Sequence, residues 1–225
     1  MDGWKASESQ ATFSVKDGAI VVFGRRSHLF YVGLVANHNF KNFEFEADVM
    51  TTPGSNSGIY FHTAYQETGF PDKGFEVQVN NSHTDWKRTG GLYDIQDVRD
   101  APAPDNQWFT ERIVVQGKRI RNYVNDKLIV DYTEPENVKP PENHLERKLS
   151  SGTFAFHGMT PRARCSTRTS KSRNCLTDPG NSLVWVSVES GSGIRTSMPW
   201  VTAGKAAASR PTSEFKAIRV VPQFV

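Results

Sequence analysis

The chain has 225 residues and a formal net charge of +3. This length is enough to bury one substantial hydrophobic core, and all-β domains of this size commonly form a single unit. No stretch approaches the roughly 18 consecutive apolar residues of a membrane helix, and Met1 is followed directly by Asp2-Gly3-Trp4 rather than by a basic and apolar signal segment. We therefore expect no membrane partner, and the sequence leaves the localisation unknown.

The charge is distributed unevenly along the chain. Residues 157–225 contain ten Lys or Arg and three Asp or Glu, a net charge of +7. Residues 1–156 contain 17 basic and 21 acidic residues, a net charge of −4, and 21 of the 25 aromatic residues. Since large rings dominate hydrophobic cores, we expect one folded domain over residues 1–156 and an atypical basic tail over residues 157–225.

The tail carries no recognisable metal or nucleic-acid motif. Cys165 and Cys175 are ten residues apart among Arg, Ser and Thr, with no His at zinc-ligand spacing. Unpaired thiols or one disulfide fit this pattern better than a metal site. We therefore expect no metal, no cofactor and no nucleic-acid partner.

The first elements in chain order are predicted to be strands. Residues 11–15 and 19–23 flank Lys16-Asp17-Gly18, and Asp-Gly between short apolar runs is typical of a β-hairpin. Residues 43–49 alternate apolar and acidic side chains with a period of two. That period indicates a strand with one face buried and the other exposed.

The rest of the first 156 residues continues this pattern. Turn residues separate further short apolar segments, which we predict to be strands at residues 58–63, 75–81, 108–116, 119–124 and 127–132, with one more strand beginning at residues 153–156. No segment shows a sustained helical period. About ten short strands favour an all-β sandwich or barrel, and periodicity alone does not choose between the two.

Polar side chains line one face of the strand at residues 75–81. Glu76, Gln78 and Asn80 alternate with Val77 and Val79, so the three polar groups share a face at a spacing of about 7 Å. A solvated outer face would explain the row, but Gln and Asn are poor strand formers, which favours a sugar-binding row. Three further residues belong to this candidate site, namely Tyr60 and His62 on the neighbouring strand and Asn56 where that strand begins.

A long polar loop follows this strand. It contains His83, Trp86, Lys87 and Arg88, which offer a base, an aromatic platform and two cations in a place where functional groups are often found. Plain surface exposure is the alternative for His83 and Lys87. For Trp86 the alternative to stacking on a sugar is packing under the loop.

Seven segments in register carry a family resemblance. They are Asp2-Gly3-Trp4-Lys5, Asn56-Ser57-Gly58-Ile59-Tyr60-Phe61, Gly74-Phe75-Glu76-Val77-Gln78-Val79-Asn80-Asn81, Thr89-Gly90-Gly91-Leu92-Tyr93, Asn106-Gln107-Trp108-Phe109, Val114-Val115-Gln116-Gly117-Lys118-Arg119-Ile120 and Ser151-Gly152-Thr153-Phe154-Ala155. Over residues 2–156 the chain resembles the 3-keto-disaccharide hydrolase family. The resemblance implies an all-β, concanavalin-A-like jelly roll of two antiparallel sheets, and a small oligosaccharide or glycoside as partner.

The resemblance also implies a mechanism. An ordinary glycosidase places two carboxylic acids across the scissile bond, whereas the row at residues 76–80 holds one. A ketone at C3 of the sugar acidifies the C2 hydrogen, so one base can remove that proton and the C1 substituent can leave by β-elimination. We predict Glu76 or His83 as base, Lys87 or Arg88 with Tyr93 near the enolate oxygen, and Gln78, Asn80 and Asn56 on hydroxyl groups. The alternative function is a non-catalytic carbohydrate-binding module.

The chain departs from the family at both ends. Members usually carry a strand before the Asp-Gly-Trp motif, end soon after the Gly-Thr-Phe strand and are commonly exported. Reading the codons after Phe156 one base out of step permits QWHDPESEVLYKNIKVKKLPD and a stop, which is similar to the family's ending. One hypothesis is that a base lost in codon 157 produced the tail. The other is an insertion before a genuine final strand at residues 215–221.

Overall fold

The computed structural model describes residues 1–16 and 19–159 together with the backbone of residues 184–187 and 219–222. Its regular elements are strands, apart from 3-10 turns at Gln10–Thr12 and Val35–His38. In chain order the strands are β1 (Trp4–Ala6), β2 (Phe13–Lys16), β3 (Ala19–Val22), β4 (Ser27–Tyr31), β5 (Phe43–Thr51), β6 (Ser57–Thr63), β7 (Phe75–Val79), β8 (Phe109–Gln116), β9 (Arg119–Val124), β10 (Lys127–Thr133), β11 (Thr153–Gly158), β12 (Val184–Ser187) and β13 (Arg219–Pro222). In this part of the chain, no helix has the length and apolarity needed to cross a membrane.

The strands form two antiparallel sheets. The smaller sheet has the order β1-β4-β11-β6-β7, and the larger has the order β10-β9-β8-β5-β12-β3-β2, with β13 also paired to β5. This arrangement confirms the predicted all-β sandwich of two antiparallel sheets. Sequence periodicity alone did not distinguish a sandwich from a barrel, and the two separate sheets identify the fold as a sandwich.

Strand β5 shows why the sandwich forms. Its residues alternate between buried and half-buried along the whole strand, so the predicted two-residue period is confirmed. Phe43 and Phe45 pack against Phe154 of the opposite sheet, with ring centroids 4.8 and 5.0 Å apart. The core therefore lies between the sheets, and the other face of the smaller sheet is left for polar side chains.

The predicted hairpin and the three-stranded meander are present. Strands β2 and β3 pair antiparallel, as do β8 with β9 and β9 with β10. Strands β1 and β4 were not predicted. All five residues of β4 are buried, so this strand has no polar alternation that the sequence could reveal.

Strand β11 crosses the domain boundary predicted from composition. Strand β11 continues through Gly158, so the proposed boundary after Phe156 falls inside a strand. Backbone pairing also brings both late segments to β5, since β12 pairs with its end and β13 with Phe43 to Glu46. Only residues 219–221 of the predicted final strand lie among the described residues, and the origin of the tail remains a prediction.

Candidate functional site

A cavity opens on the outer face of the smaller sheet. Its volume is about 210 Å³, and its lining residues are Asn56, Tyr60, Phe70, Glu76, Gln78, Asp85, Tyr93, His144, Arg147, His157 and Met159. Neighbouring strands supply Tyr60, Glu76, Gln78 and His157, because β11, β6 and β7 lie side by side. The cavity therefore has a rigid sheet as its floor and loop residues as its walls.

Glu76 is the fixed carboxylate of this floor. Tyr60 donates its hydroxyl hydrogen to Glu76 Oε2 at 2.8 Å, and His157 Nδ1 lies 3.0 Å from Glu76 Oε1. All three residues are at most 4 % exposed. Gly58 makes room for this arrangement, since a Cβ at that position would lie 2.8 Å from Glu76 Cγ. Burial, with the Glu76 charge, raises the pKa of Tyr60 well above its ordinary value, which keeps the phenol a hydrogen-bond donor.

Two amides continue the floor beside Glu76. Gln78 Nε2 donates to Asn56 Oδ1 at 2.8 Å, which leaves the Gln78 carbonyl and the Asn56 amino group available to a ligand. The loop after β7 folds back on this strand, so that Tyr93 N–H donates to the Glu76 carbonyl at 2.9 Å. The same fold-back places Tyr93 in the cavity wall.

Arg147 supplies a positive charge to the wall. It is 2 % exposed, one N–H donates to the Tyr93 carbonyl at 2.8 Å, and its Nε has no partner. Among the described residues no carboxylate lies within 4 Å of its guanidinium. A buried cation without a carboxylate is costly, and a ligand that develops negative charge would compensate it.

Two further ionisable groups line the wall near Arg147. Burial, followed by the positive charge of Arg147, lowers the pKa of His144. Burial raises the pKa of Tyr93, although the nearby Lys87 charge opposes this. The wall therefore holds a neutral imidazole and a protonated phenol at neutral pH.

The charged groups of the loop after β7 are turned toward one another. Lys87 binds Asp94 and lies 3.6 Å from Asp97, with its Nζ 3.7 Å above the Tyr93 ring centroid. Burial acts to lower the pKa of Lys87, but the hydrogen bond to Asp94 and the nearby charges, Asp97 first among them, together outweigh it, so the pKa ends above its ordinary value. Arg88 donates to the His83 carbonyl at 2.9 Å and to the Asp85 carbonyl. These two cations are thus committed to the loop.

The remaining predicted residues of this loop also lie outside the cavity lining. Asn80 donates to two loop carbonyls and accepts from His83 N–H and Arg88, so its side chain organises the loop. His83 Nδ1 accepts from Asp85 N–H at 3.0 Å. Trp86 is 43 % exposed, and Arg99 stacks 4.3 Å from its ring. The lining residues of the cavity therefore do not include the predicted His83, Trp86, Lys87, Arg88 and Asn80.

His62 also departs from its predicted place beside Tyr60. Its φ of 55° interrupts the strand alternation, and the ring packs against Phe43 and Phe61. Both ring nitrogens are satisfied, by the Lys41 carbonyl at 2.8 Å and by Ser150 N–H at 3.3 Å. Burial lowers its pKa to about 4. His62 is therefore a neutral structural residue.

Several lining residues were missed by the sequence analysis. His157 follows Ala155 at the two-residue period that places both on the outer face, but the predicted domain boundary assigns His157 to the tail. Asp85 lay in the polar loop and was not selected. No pattern marks Phe70, His144 or Arg147, because they come from irregular segments that long-range folding brings to the sheet.

The chain was compared with known proteins. The 3-keto-alpha-glucoside-1,2-lyase-like domain family matches residues 1–164. A 3-keto-disaccharide hydrolase from Bacteroides thetaiotaomicron is 26 % identical over 160 residues, which cover 58 % of this chain and 54 % of the relative. The chain thus spans about half the length of that curated relative.

Solved structures show the same fold. A crystal structure from Parabacteroides distasonis, described as a candidate glycosyl hydrolase, superposes with a TM-score of 0.59 at 18 % identity, covering 82 % of this chain and 85 % of the other. A Bacillus subtilis protein with a galectin-like fold gives 0.53 at 9 % identity, with 81 % and 86 % covered. Because the family match covers most of the chain, the chain belongs to the 3-keto-alpha-glucoside-1,2-lyase-like domain family.

Proposed function

We propose that this chain cleaves 3-keto glycosides by removing the C2 proton and expelling the C1 substituent. The observation that carries the proposal is the buried Arg147, which has no carboxylate partner among the described residues, in the wall of a cavity whose floor holds Glu76. Elimination next to a ketone develops negative charge on the ketone oxygen, and a preorganised cation in a water-poor site stabilises such charge. The family name and the curated relative's name support the same substrate class.

The proposed reaction is redox-neutral. A base takes the C2 proton, and the C2–H electrons form an enolate whose oxygen lies near Arg147. Collapse of the enolate forms a C1–C2 double bond and breaks the bond from C1 to the leaving oxygen, which takes up a proton. Water then adds across the double bond, with its hydroxyl at C1 and its proton at C2, so the net result is hydrolysis.

The other lining groups fit roles in this reaction. The amides of Asn56 and Gln78 offer a donor and an acceptor to sugar hydroxyl groups. Because burial raises the pKa of Tyr93, its phenol stays protonated and can donate to the enolate oxygen or to the leaving group. The enolate role predicted for Lys87 or Arg88 passes in this proposal to Arg147.

One observation favours a second candidate, a conventional glycosidase. Asp85 lines the same cavity as Glu76, so two carboxylates are present, as that mechanism requires. Asp85 accepts a hydrogen bond from Lys87 N–H at 3.1 Å and is half-buried. The two mechanisms differ in whether Asp85 is essential.

Paired variants assayed with a 3-keto-glucoside test the proposal. Glu76→Gln should lower turnover at least about tenfold and leave substrate binding, measured by calorimetry, within about threefold. Asp85→Asn should retain turnover within about fivefold. A loss of about a thousandfold in Asp85→Asn would favour the conventional glycosidase. Wild-type binding without turnover would instead favour the non-catalytic module.

A further inference from the structure

Phe70 is an aromatic residue at the mouth of the cavity. It is 39 % exposed, whereas the other lining residues are buried or half-buried. Exposed apolar side chains scattered singly over a surface need no explanation, but this one borders a cavity whose floor is polar. The cavity volume of about 210 Å³ is below the roughly 300–1,000 Å³ of pockets that enclose drug-sized ligands. We therefore expect one sugar ring to fill the cavity and a second ring of the substrate to lie at the mouth.

Contacts on the outer face of the smaller sheet hold the Phe70 ring in place. The ring meets His28 and His157 edge-to-face, with centroids 5.7 and 5.4 Å apart. The Arg26 guanidinium lies 5.1 Å from the Phe70 ring centroid, and hydrogen bonds of 3.1 and 2.7 Å tie this guanidinium to Glu8. The ring therefore lies over the sheet rather than pointing away into solvent.

The Gln66 side chain closes the loop that carries Phe70. Gln66 Nε2 donates to the carbonyls of Thr68 and Phe70 at 2.6 and 2.8 Å. Gln66 Oε1 accepts from Asp72 N–H at 3.2 Å. Since the Phe70 carbonyl is turned to Gln66, the ring is the part of this residue that borders the cavity. A ring that is fixed in advance loses little conformational entropy when a ligand packs on it, which favours its use as a contact surface.

The order of groups across the sheet matches the order of the reacting atoms in the substrate. The segment at residues 90–93 pairs with the free edge of β7, and Arg147 donates to the last carbonyl of this segment. Phe70 lies at the opposite side, over β4 and β11, and the Glu76 carboxylate lies between them, above β6. With the ketone oxygen at Arg147 and the C2 hydrogen at Glu76, the substituent on the next carbon, C1, points toward Phe70.

We infer that Phe70 determines specificity by packing against the leaving group, and that the leaving group is a ring with an apolar face; the inference rests on the proposed function. An aryl group and the C–H face of a second sugar ring both offer such a surface to an aromatic side chain. The contact is the same in the bound substrate and in the transition state, so its loss should raise KM more than it lowers kcat. The stacking role predicted for Trp86 passes here to Phe70.

Three 3-keto-glucosides test the inference, with phenyl, glucosyl or methyl as the C1 substituent. Both kcat and KM are measured for each, and comparing a variant with the wild type on the same sugar cancels the intrinsic reactivity of the leaving group. In Phe70→Leu, KM should rise about three- to tenfold more for a ring-shaped leaving group than for methyl. Phe70→Tyr keeps the ring and should keep most of the wild-type preference.

Trp86→Leu is the matched control. Trp86 is also exposed, at 43 %, and Arg99 lies 4.3 Å from its ring, but Trp86 does not line the cavity. The preference of Trp86→Leu for ring-shaped leaving groups should equal that of the wild type within about twofold. A rise in KM of Phe70→Leu with the phenyl sugar alone, or with the glucosyl sugar alone, would support the inference and assign the leaving group to that class.

Two results would overturn the inference in different ways. If Phe70→Leu is folded, as thermal unfolding verifies, and its KM rises equally for all three sugars or for none, the inference fails and the proposed function stands. If the wild type cleaves none of the three keto sugars, the proposed function fails and the inference fails with it.

Discussion

The sheet face that holds Glu76 and the polar loop over residues 81–88 contain similar residue types, yet the structure uses them differently. In the loop, the charges of Lys87 and Arg88 are met by Asp94 and by backbone carbonyls. In the cavity wall, Arg147 has no carboxylate within 4 Å among the residues that the structure describes. The comparison teaches that polar residue types alone do not mark a site, because contacts within a loop can satisfy its charges.

Removing the cation from the cavity should have the largest effect on catalysis. Arg147→Met keeps the side-chain volume and abolishes the charge, so kcat on a 3-keto-glucoside should fall about 10²- to 10³-fold, as for other oxyanion-stabilising groups. The kcat of Arg147→Lys should lie between those of the wild type and Arg147→Met, since a point charge replaces the planar guanidinium. A folded Arg147→Met variant with wild-type kcat would place the enolate elsewhere.

Disturbing the position of Glu76 should have the next largest effect. In Gly58→Ala the new methyl group would collide with the Glu76 side chain, and a displacement of about 1 Å can cost about 100-fold in rate. Gly117→Ala is the control, because nothing lies within 4 Å of that position, although its φ of 59° carries some strain. Equal activity of the two variants would argue that the Glu76 position is unimportant.

Acid should destabilise the sandwich through a buried histidine outside the cavity. The pKa of His62 is lowered from 6.5 to about 4 by burial, so its neutral form contributes stability that is complete above pH 6.5. As pH falls from 6.5 to 4, the unfolded chain binds a proton that the folded chain does not. The unfolding free energy should therefore fall by up to about 3 kcal/mol over this range.

Urea unfolding measured between pH 4 and 7 checks this prediction. His62→Asn, if folded, should be less stable at pH 7 and should lose less stability toward pH 4 than the wild type. The same pH slope in wild type and variant would show that His62 does not cause the acid sensitivity.

The smallest effect on turnover is expected in the loop. Lys87→Met leaves Asp94 and Asp97 without their cation, which should lower the unfolding free energy by about 1–3 kcal/mol. Turnover at a temperature where the variant is folded should change less than about tenfold. Lys148→Met is the control, since its 3.5 Å pair with Glu146 is exposed and such pairs contribute little. A larger loss of kcat in Lys87→Met than in Arg147→Met would reverse the comparison.

Local pattern was sufficient to predict most of the fold. The alternation in β5 and the turn residues between β8, β9 and β10 each indicate a period or turn that the backbone adopts, and the apolar runs before and after Asp17-Gly18 pair as β2 and β3. Strand β4 escaped prediction because it is buried on both faces, so its sequence lacks a polar alternation. Residues 157 and 158 of β11 were assigned to the tail because the composition becomes basic beyond Phe156.

The candidate site was predictable only where strand register determines it. Glu76, Gln78 and Tyr60 line the cavity because alternation and strand pairing place them there. Asn56 directly precedes β6, and Tyr93 lies in the loop that folds back on β7. Arg147 lies in an irregular segment between β10 and β11, and no local signal shows that this segment packs against the Tyr93 carbonyl. Conversely, the loop cations resembled catalytic groups because a sequence does not show which charges neutralise one another.

The most direct test of the proposed elimination is to incubate the chain with a 3-keto-glucoside and with the unoxidised parent glucoside, and to measure release of the C1 group from each. The ketone acidifies the C2 hydrogen, and the parent glucoside has no ketone. We therefore expect the keto sugar to be cleaved at least about 10³-fold faster than the parent, a difference of about 4 kcal/mol in the barrier. Equal cleavage of both sugars, or of the parent alone, would contradict the elimination mechanism and favour a conventional glycosidase.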